Sequence, residues 1–103
     1  MSTLSESPEY SDVLNDSYIT SSITVTTTAI EAKVGANRLI GRESLMVYNK
    51  GTKKIFAGPS GVTSLTGVVI EVEEVATFSF GENIGVFLIT DSGSSTVVVQ
   101  EAG

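Results

Sequence analysis

The feature that most constrains this chain is a pattern of short runs in which apolar residues recur at every second position. Most of these runs are closed by Gly, Asn, Asp, Ser or Pro. Period two is the period of a β-strand, whose side chains alternate between two faces. Ile19, Ser21, Ile23 and Val25 fall on one side of the first run, and Thr20, Ser22, Thr24 and Thr26 on the other. That is a half-buried antiparallel strand with a threonine-rich outer face. A second strand is expected over Ala29–Val34, closed by Gly35-Ala36-Asn37.

The middle of the chain carries the densest signals. Ser44–Tyr48 and Lys54–Ala57 read as two strands joined across Asn49-Lys50-Gly51-Thr52-Lys53. Asn and Gly are the residues that supply the positive-φ positions of a short hairpin loop, so a hairpin is expected. Leu45 and Val47 face one way in the first of these strands, Met46 and Tyr48 the other, so both faces should be covered. A break follows at Gly58-Pro59-Ser60-Gly61. Val68, Ile70 and Val72 then alternate with Val69, Glu71 and Glu73, and β-branched residues favour a strand there. Phe78 and Phe80 alternate with Thr77 and Ser79, and Gly81-Glu82-Asn83 turns the chain. Ile84–Thr90 is an apolar strand expected at the centre of a sheet, Asp91–Ser95 a hairpin loop, and Thr96–Gln100 the closing strand. About eight short strands with turns between them make an all-β fold. The expectation is a compact antiparallel β-sandwich, jelly-roll or immunoglobulin-like, with an extended N-terminal arm.

Length admits one such domain: 103 residues build a single core. With no cysteine, disulfides and thiolate metal sites are excluded, so packing and sheet hydrogen bonds must hold the fold. No apolar run is long enough to span a membrane as a helix. The N-terminus lacks the basic and apolar regions of a secretory signal, which points to a protein made and kept in a cytoplasm.

Residues 1–18 differ from the rest. They are serine-rich and acidic, with few apolar groups, and cannot build a core of their own. Ser7-Pro8-Glu9 nevertheless resembles a helix start, with a hydroxyl cap, proline at the first turn and an acid beside it. Tyr10, Val13, Leu14 and Tyr18 follow at the spacing of one helical face. A helix this short is marginal alone in water. The segment therefore reads as an arm that becomes ordered on a partner, with residues 19–103 as the body.

Charge is segregated. All six basic residues lie between Lys33 and Lys54, and acids dominate both flanks. A net charge of −6 argues against nucleic acid as the main partner, because phosphate binding needs clustered cations. Lys50, Lys53 and Lys54 form a basic tip suited to an acidic protein surface; a solvated face is the plainer reading.

Catalysis finds few materials. The chain has no histidine, hence no usual general base or zinc ligand, and no thiol nucleophile. No serine sits in a nucleophile-elbow context. Glu71, Glu73 and Glu74 are the one carboxylate group that could hold Ca²⁺, although an exposed acidic strand face explains them equally. Gly58-Pro59-Ser60-Gly61 lacks the Lys-Ser/Thr of a phosphate loop. No enzyme activity, cofactor or metal is expected.

Several spacings agree with a known group. Ile23-Thr24-Val25 is followed by Arg42 to Gly51 (RESLMVYNKG), then Ile55-Phe56-Ala57-Gly58, Gly61-Val62-Thr63 and Gly67. Ile84 to Ile89 (IGVFLI), Gly93 and Val97 to Glu101 (VVVQE) complete the set. From about Ile23 to Glu101 the chain resembles small bacteriophage structural proteins met as capsid decoration, head-fibre or tail-associated components. Glu71–Ala76 is more acidic than the corresponding run of that group, and the N-terminal arm lies outside the resemblance. The resemblance implies a β-sandwich virion part, made in the host cytoplasm, with the major capsid protein or another virion protein as partner and like subunits as lattice neighbours. Tyr10, Val13, Leu14 and Tyr18 on the arm, with Lys50, Lys53 and Lys54, would carry the contacts. A tail or head–tail connector role uses the same fold. A glycan or host-surface module would instead use the loops Gly58–Gly67 and Asp91–Ser95, with Tyr48 or Phe56 as a stacking group.

Overall fold

The structure, a computed structural model, describes residues 18–103. Eight strands follow one another: β1 (Tyr18–Val25), β2 (Ile30–Glu31), β3 (Ser44–Asn49), β4 (Ile55–Gly58), β5 (Val68–Ile70), β6 (Val75–Phe78), β7 (Phe87–Ile89) and β8 (Ser95–Ala102). No helix occurs among the described residues. The strands form two four-stranded antiparallel sheets, ordered β1-β8-β3-β6 and β2-β7-β4-β5.

That order has a simple origin. The pairs β1·β8, β2·β7, β3·β6 and β4·β5 are all antiparallel, as in one long ribbon doubled back at β4–β5. Rolling this ribbon adds the contacts β3·β8 and β4·β7 and splits it into two layers. The result is a jelly roll. Of the two sandwich types the sequence leaves open, the strand order selects this one.

Rolling changes what the turns do. Every connection except β4–β5 carries the chain from one sheet to the other. The hairpin expected across Asn49–Lys53 is therefore a corner: β3 and β4 lie in different sheets. Asp91–Ser95 is likewise a crossing between β7 and β8. Among the described residues the single hairpin is β4–β5, around the Gly58–Gly67 segment.

Alternation places the core as the sequence predicts. Along β8 the buried positions are Ser95, Val97, Val99 and Glu101, and along β3 they are Leu45, Val47 and Asn49. Val25, Ile55, Ile70 and Leu88 pack with them between the sheets. Met46 and Tyr48 are half-buried on the outer face. The expected strand Ala29–Val34 shortens to two residues because Val34 turns its N–H to the Glu101 carboxylate at 3.0 Å. The long acidic strand expected from Val68 breaks at a turn in which Glu73 takes φ 67°. There Glu73 donates to Asn49 O at 2.7 Å and Asn49 donates to Glu74 O at 3.0 Å.

Candidate functional site

The sandwich has a lower end, where β1 starts, an upper end, where β1 finishes, and an open side between the edge strands β5 and β6. Each is built differently.

At the lower end Arg42 and Glu101 meet in the interior. Their side chains are fully buried, with Nη1 of Arg42 2.8 Å from Oε2 of Glu101. Burying two charges is costly unless all their remaining groups are satisfied. Here Arg42 also donates to the carbonyls of Phe80, Gly81 and Ile84, and Glu101 accepts from the N–H groups of Val34 and Leu39. One ion pair thus pins two irregular segments, residues 34–43 and 79–86, to the end of β8.

Beside it lies a shallow polar hollow of about 470 Å³ lined by Glu31, Lys33, Asn37, Arg38, Ile40 and Glu82. Its charges are already engaged. Arg38 and Lys33 both pair with Glu31, and the Glu82 carboxylate accepts from Gly41 N–H. The hydrogen bond to Glu31 raises the Arg38 pKa above its ordinary value, so the guanidinium stays charged.

At the upper end the buried group is Asn49. Its amide donates to Lys53 O at 2.8 Å and Ile70 O at 3.2 Å; its oxygen accepts from Ser95 Oγ–H at 2.7 Å and Gly51 N–H at 3.2 Å. These bonds tie the β3–β4 corner to β5 and β8. Gly51 is needed for closeness, since a Cβ there would lie 2.5 Å from Thr96 N and overlap Ser95.

The three predicted basic residues stand on this corner. Lys50, Lys53 and Lys54 are exposed, and none is within 4.0 Å of a carboxylate among the described residues. Glu71, Glu73 and Glu74 lie on the neighbouring β5–β6 crossing. They share no strand face, because the turn intervenes. The Glu74 carboxylate accepts from Glu71 N–H at 2.7 Å, and no metal-holding group of acids occurs among the described residues. Tyr10, Val13 and Leu14 lie outside the described residues. Tyr18 opens β1, paired with Ala102, so its backbone is strand where the sequence suggested the end of a helix.

The loops considered for glycan binding are separated. Gly58–Gly67 is at the lower end and Asp91–Ser95 at the upper. Tyr48 and Phe56 belong to different sheets, each half-buried between inward-facing neighbours, so they occupy opposite outer faces.

The open side holds what sequence reading missed. Below the β5–β6 turn the two edge strands part, leaving a cleft of about 380 Å³. Val68, Phe78, Phe80, Ile84 and Pro59 line it, and no charged residue does. The rings of Phe78 and Phe80 pack with centroids 5.6 Å apart and planes tilted by 37°. Val68 is 71 % exposed and Ile84 50 %, and Leu65 on the adjoining hairpin is 94 % exposed. A signal was available: Val68 and Val69 form an apolar strand with neither Lys nor Pro to guard it, unusual for an edge.

Fold and surface together define a class: an eight-stranded jelly roll with satisfied polar nodes at its ends, a basic corner, and an apolar opening along one side. The chain matches no protein-family model and no curated protein sequence.

Proposed function

We propose that this protein is a non-enzymatic virion structural protein, a capsid decoration protein that docks on the capsid lattice through its N-terminal arm and contacts with neighbouring subunits. The observation that carries the reading is the apolar opening beside an edge strand. Exposed apolar surface of this kind, with Val68 and Leu65 largely in solvent, marks a protein–protein contact. The basic corner of Lys50, Lys53 and Lys54 adds a charged contact for an acidic neighbour. Jelly rolls serve in viral capsid and lectin domains, which is an analogy of architecture and no more. The resemblance read from the sequence, to small phage structural proteins, favours the capsid side of that analogy.

The mechanism is cementing. Each large apolar side chain of the arm, such as Tyr10, Val13 or Leu14, gains roughly 1.5–3 kcal/mol when buried on a neighbour, before ordering costs. Repetition over a symmetric lattice turns modest single contacts into avidity.

The test is the copy number of this chain in purified virions, measured by quantitative mass spectrometry against the major capsid protein. A ratio near one per capsid subunit, or a fixed large fraction of it, supports decoration. A few copies per particle moves the protein to the tail or connector, and absence from virions overturns the reading.

A further inference from the structure

We infer that the apolar cleft between β5 and β6 is the receptor for the N-terminal arm of a second copy of this chain. The inference rests on the proposal that the arm is the docking element; the lattice could be of any kind.

The cleft fits such an occupant chemically. Its lining is apolar throughout, with Val68, Phe78, Phe80 and Ile84 as the large side chains. A volume of about 380 Å³ suits a few side chains of the size of Tyr10, Val13 and Leu14. At the helical spacing read from the sequence, Tyr10, Val13 and Leu14 share one side of the segment and Glu9, Asp12 and Asp16 another, so the apolar side can enter the cleft while the acids stay in water. The outer edges of β5 and β6 pair with no strand among the described residues.

Chain direction favours a second copy over the chain's own cleft. β1 runs upward from Tyr18, so the chain enters it at the lower end. β1 and β6 are opposite edges of one sheet, three strand spacings apart, or about 14 Å. Between them the lower end is occupied by residues 34–43 and 79–86, held by Arg42 and Glu101. From Tyr18 the way to the chain's own cleft crosses these segments.

Cysteine placement tests this in the full chain, which has no cysteine of its own. Val13→Cys is prepared in one sample and Ile84→Cys in another, and the two are mixed and oxidised. The expected result is a Val13–Ile84 heterodimer several-fold above that formed by Val13→Cys with Thr20→Cys, a control on the exposed face of β1. Val68→Asp in the Ile84→Cys chain should return the yield to the control level. A heterodimer yield no higher than the control overturns the inference. So does a double variant, Val13→Cys with Ile84→Cys, that closes within single chains at low concentration, because the arm then fills its own cleft. Dominant Ile84–Ile84 dimers also overturn it, since two clefts then face one another. The outcome is separable from the virion reading: high copy number without the heterodimer sinks arm exchange alone, and the heterodimer without virion association sinks the capsid role alone.

Discussion

Arg42 and Glu101 face each other at 2.8 Å in the interior, and between them they hold five backbone groups from two connections, β2–β3 and β6–β7. Buried ion pairs elsewhere can often be replaced by apolar pairs at little cost. Here the pair cannot be removed so simply, because the carbonyls of Phe80, Gly81 and Ile84 and the N–H groups of Val34 and Leu39 would lose their partners.

Glu101→Gln should therefore cost about 3–5 kcal/mol by leaving a buried guanidinium without its counter-charge. Arg42→Met with Glu101→Leu should lose at least as much as the single variant. Urea unfolding of the three proteins checks both; a double variant near wild-type stability would show that the loops find other partners.

Asn49 is the equivalent node at the upper end. Asn49→Ala strips partners from Lys53 O, Ile70 O, the Ser95 hydroxyl and Gly51 N–H. A loss of about 2–4 kcal/mol is expected, from a penalty of roughly 1–3 kcal/mol per unsatisfied buried group with partial relief by water. Hydrogen exchange should show it first at the β3–β4 corner.

Two glycines make a matched pair. Gly51→Ala places a Cβ against Ser95 and the Thr96 backbone and should cost about 1–3 kcal/mol by overpacking. Gly35→Ala meets nothing within 4 Å and should be neutral or stabilise by about 0.4–1 kcal/mol. Thermal denaturation of the two variants should move in opposite directions or, for Gly35→Ala, not at all.

The basic corner should matter for contact and not for folding. Replacing Lys50, Lys53 and Lys54 together by Glu should change stability by no more than about 0.5 kcal/mol per site, as for exposed positions without special partners. Association with acidic neighbours should fall, and what remains should lose its dependence on salt. A variant that unfolds would place these lysines in the fold's support after all.

What the sequence revealed was local. The alternation of Ile19 to Val25 and of Leu45 to Val47 gave the inward faces of β1 and β3, because period two survives whatever the strand pairs with. Pairing itself was hidden. Asn49-Lys50-Gly51 carries the composition of a hairpin loop, yet it makes a corner, since Asn49 bonds across to Ser95 and Ile70 instead of closing a local turn. The acidic run after Ile70 broke where Glu73 adopts a positive φ, a conformation that nothing in Glu itself announces. Two signs of the polar nodes were present all the same. Glu101 follows Val97 and Val99 in the buried phase of β8, and Asn49 follows Leu45 and Val47 in that of β3. A polar residue in the apolar phase of a strand asks for a buried partner, but period alone does not say which one. The unguarded strand of Val68 and Val69 signalled an apolar edge, but the cleft itself was out of reach, because its walls, Val68 and Phe78 to Ile84, meet only once the two sheets are stacked.

The doubled ribbon also dictates a timetable for synthesis. Among the described residues β1 has β8 as its sole neighbour in the sheet, and Val25, made long before Ser95, waits for it before it can pair. β4 and β5 can zip as soon as both emerge, whereas the strands on either side must hold open ever longer loops. A nascent chain stalled before β8 would carry β1 as an orphan edge and would lack Glu101 while Arg42 was already in place. The body closes from its tip backwards, and its first strand is the last to be housed.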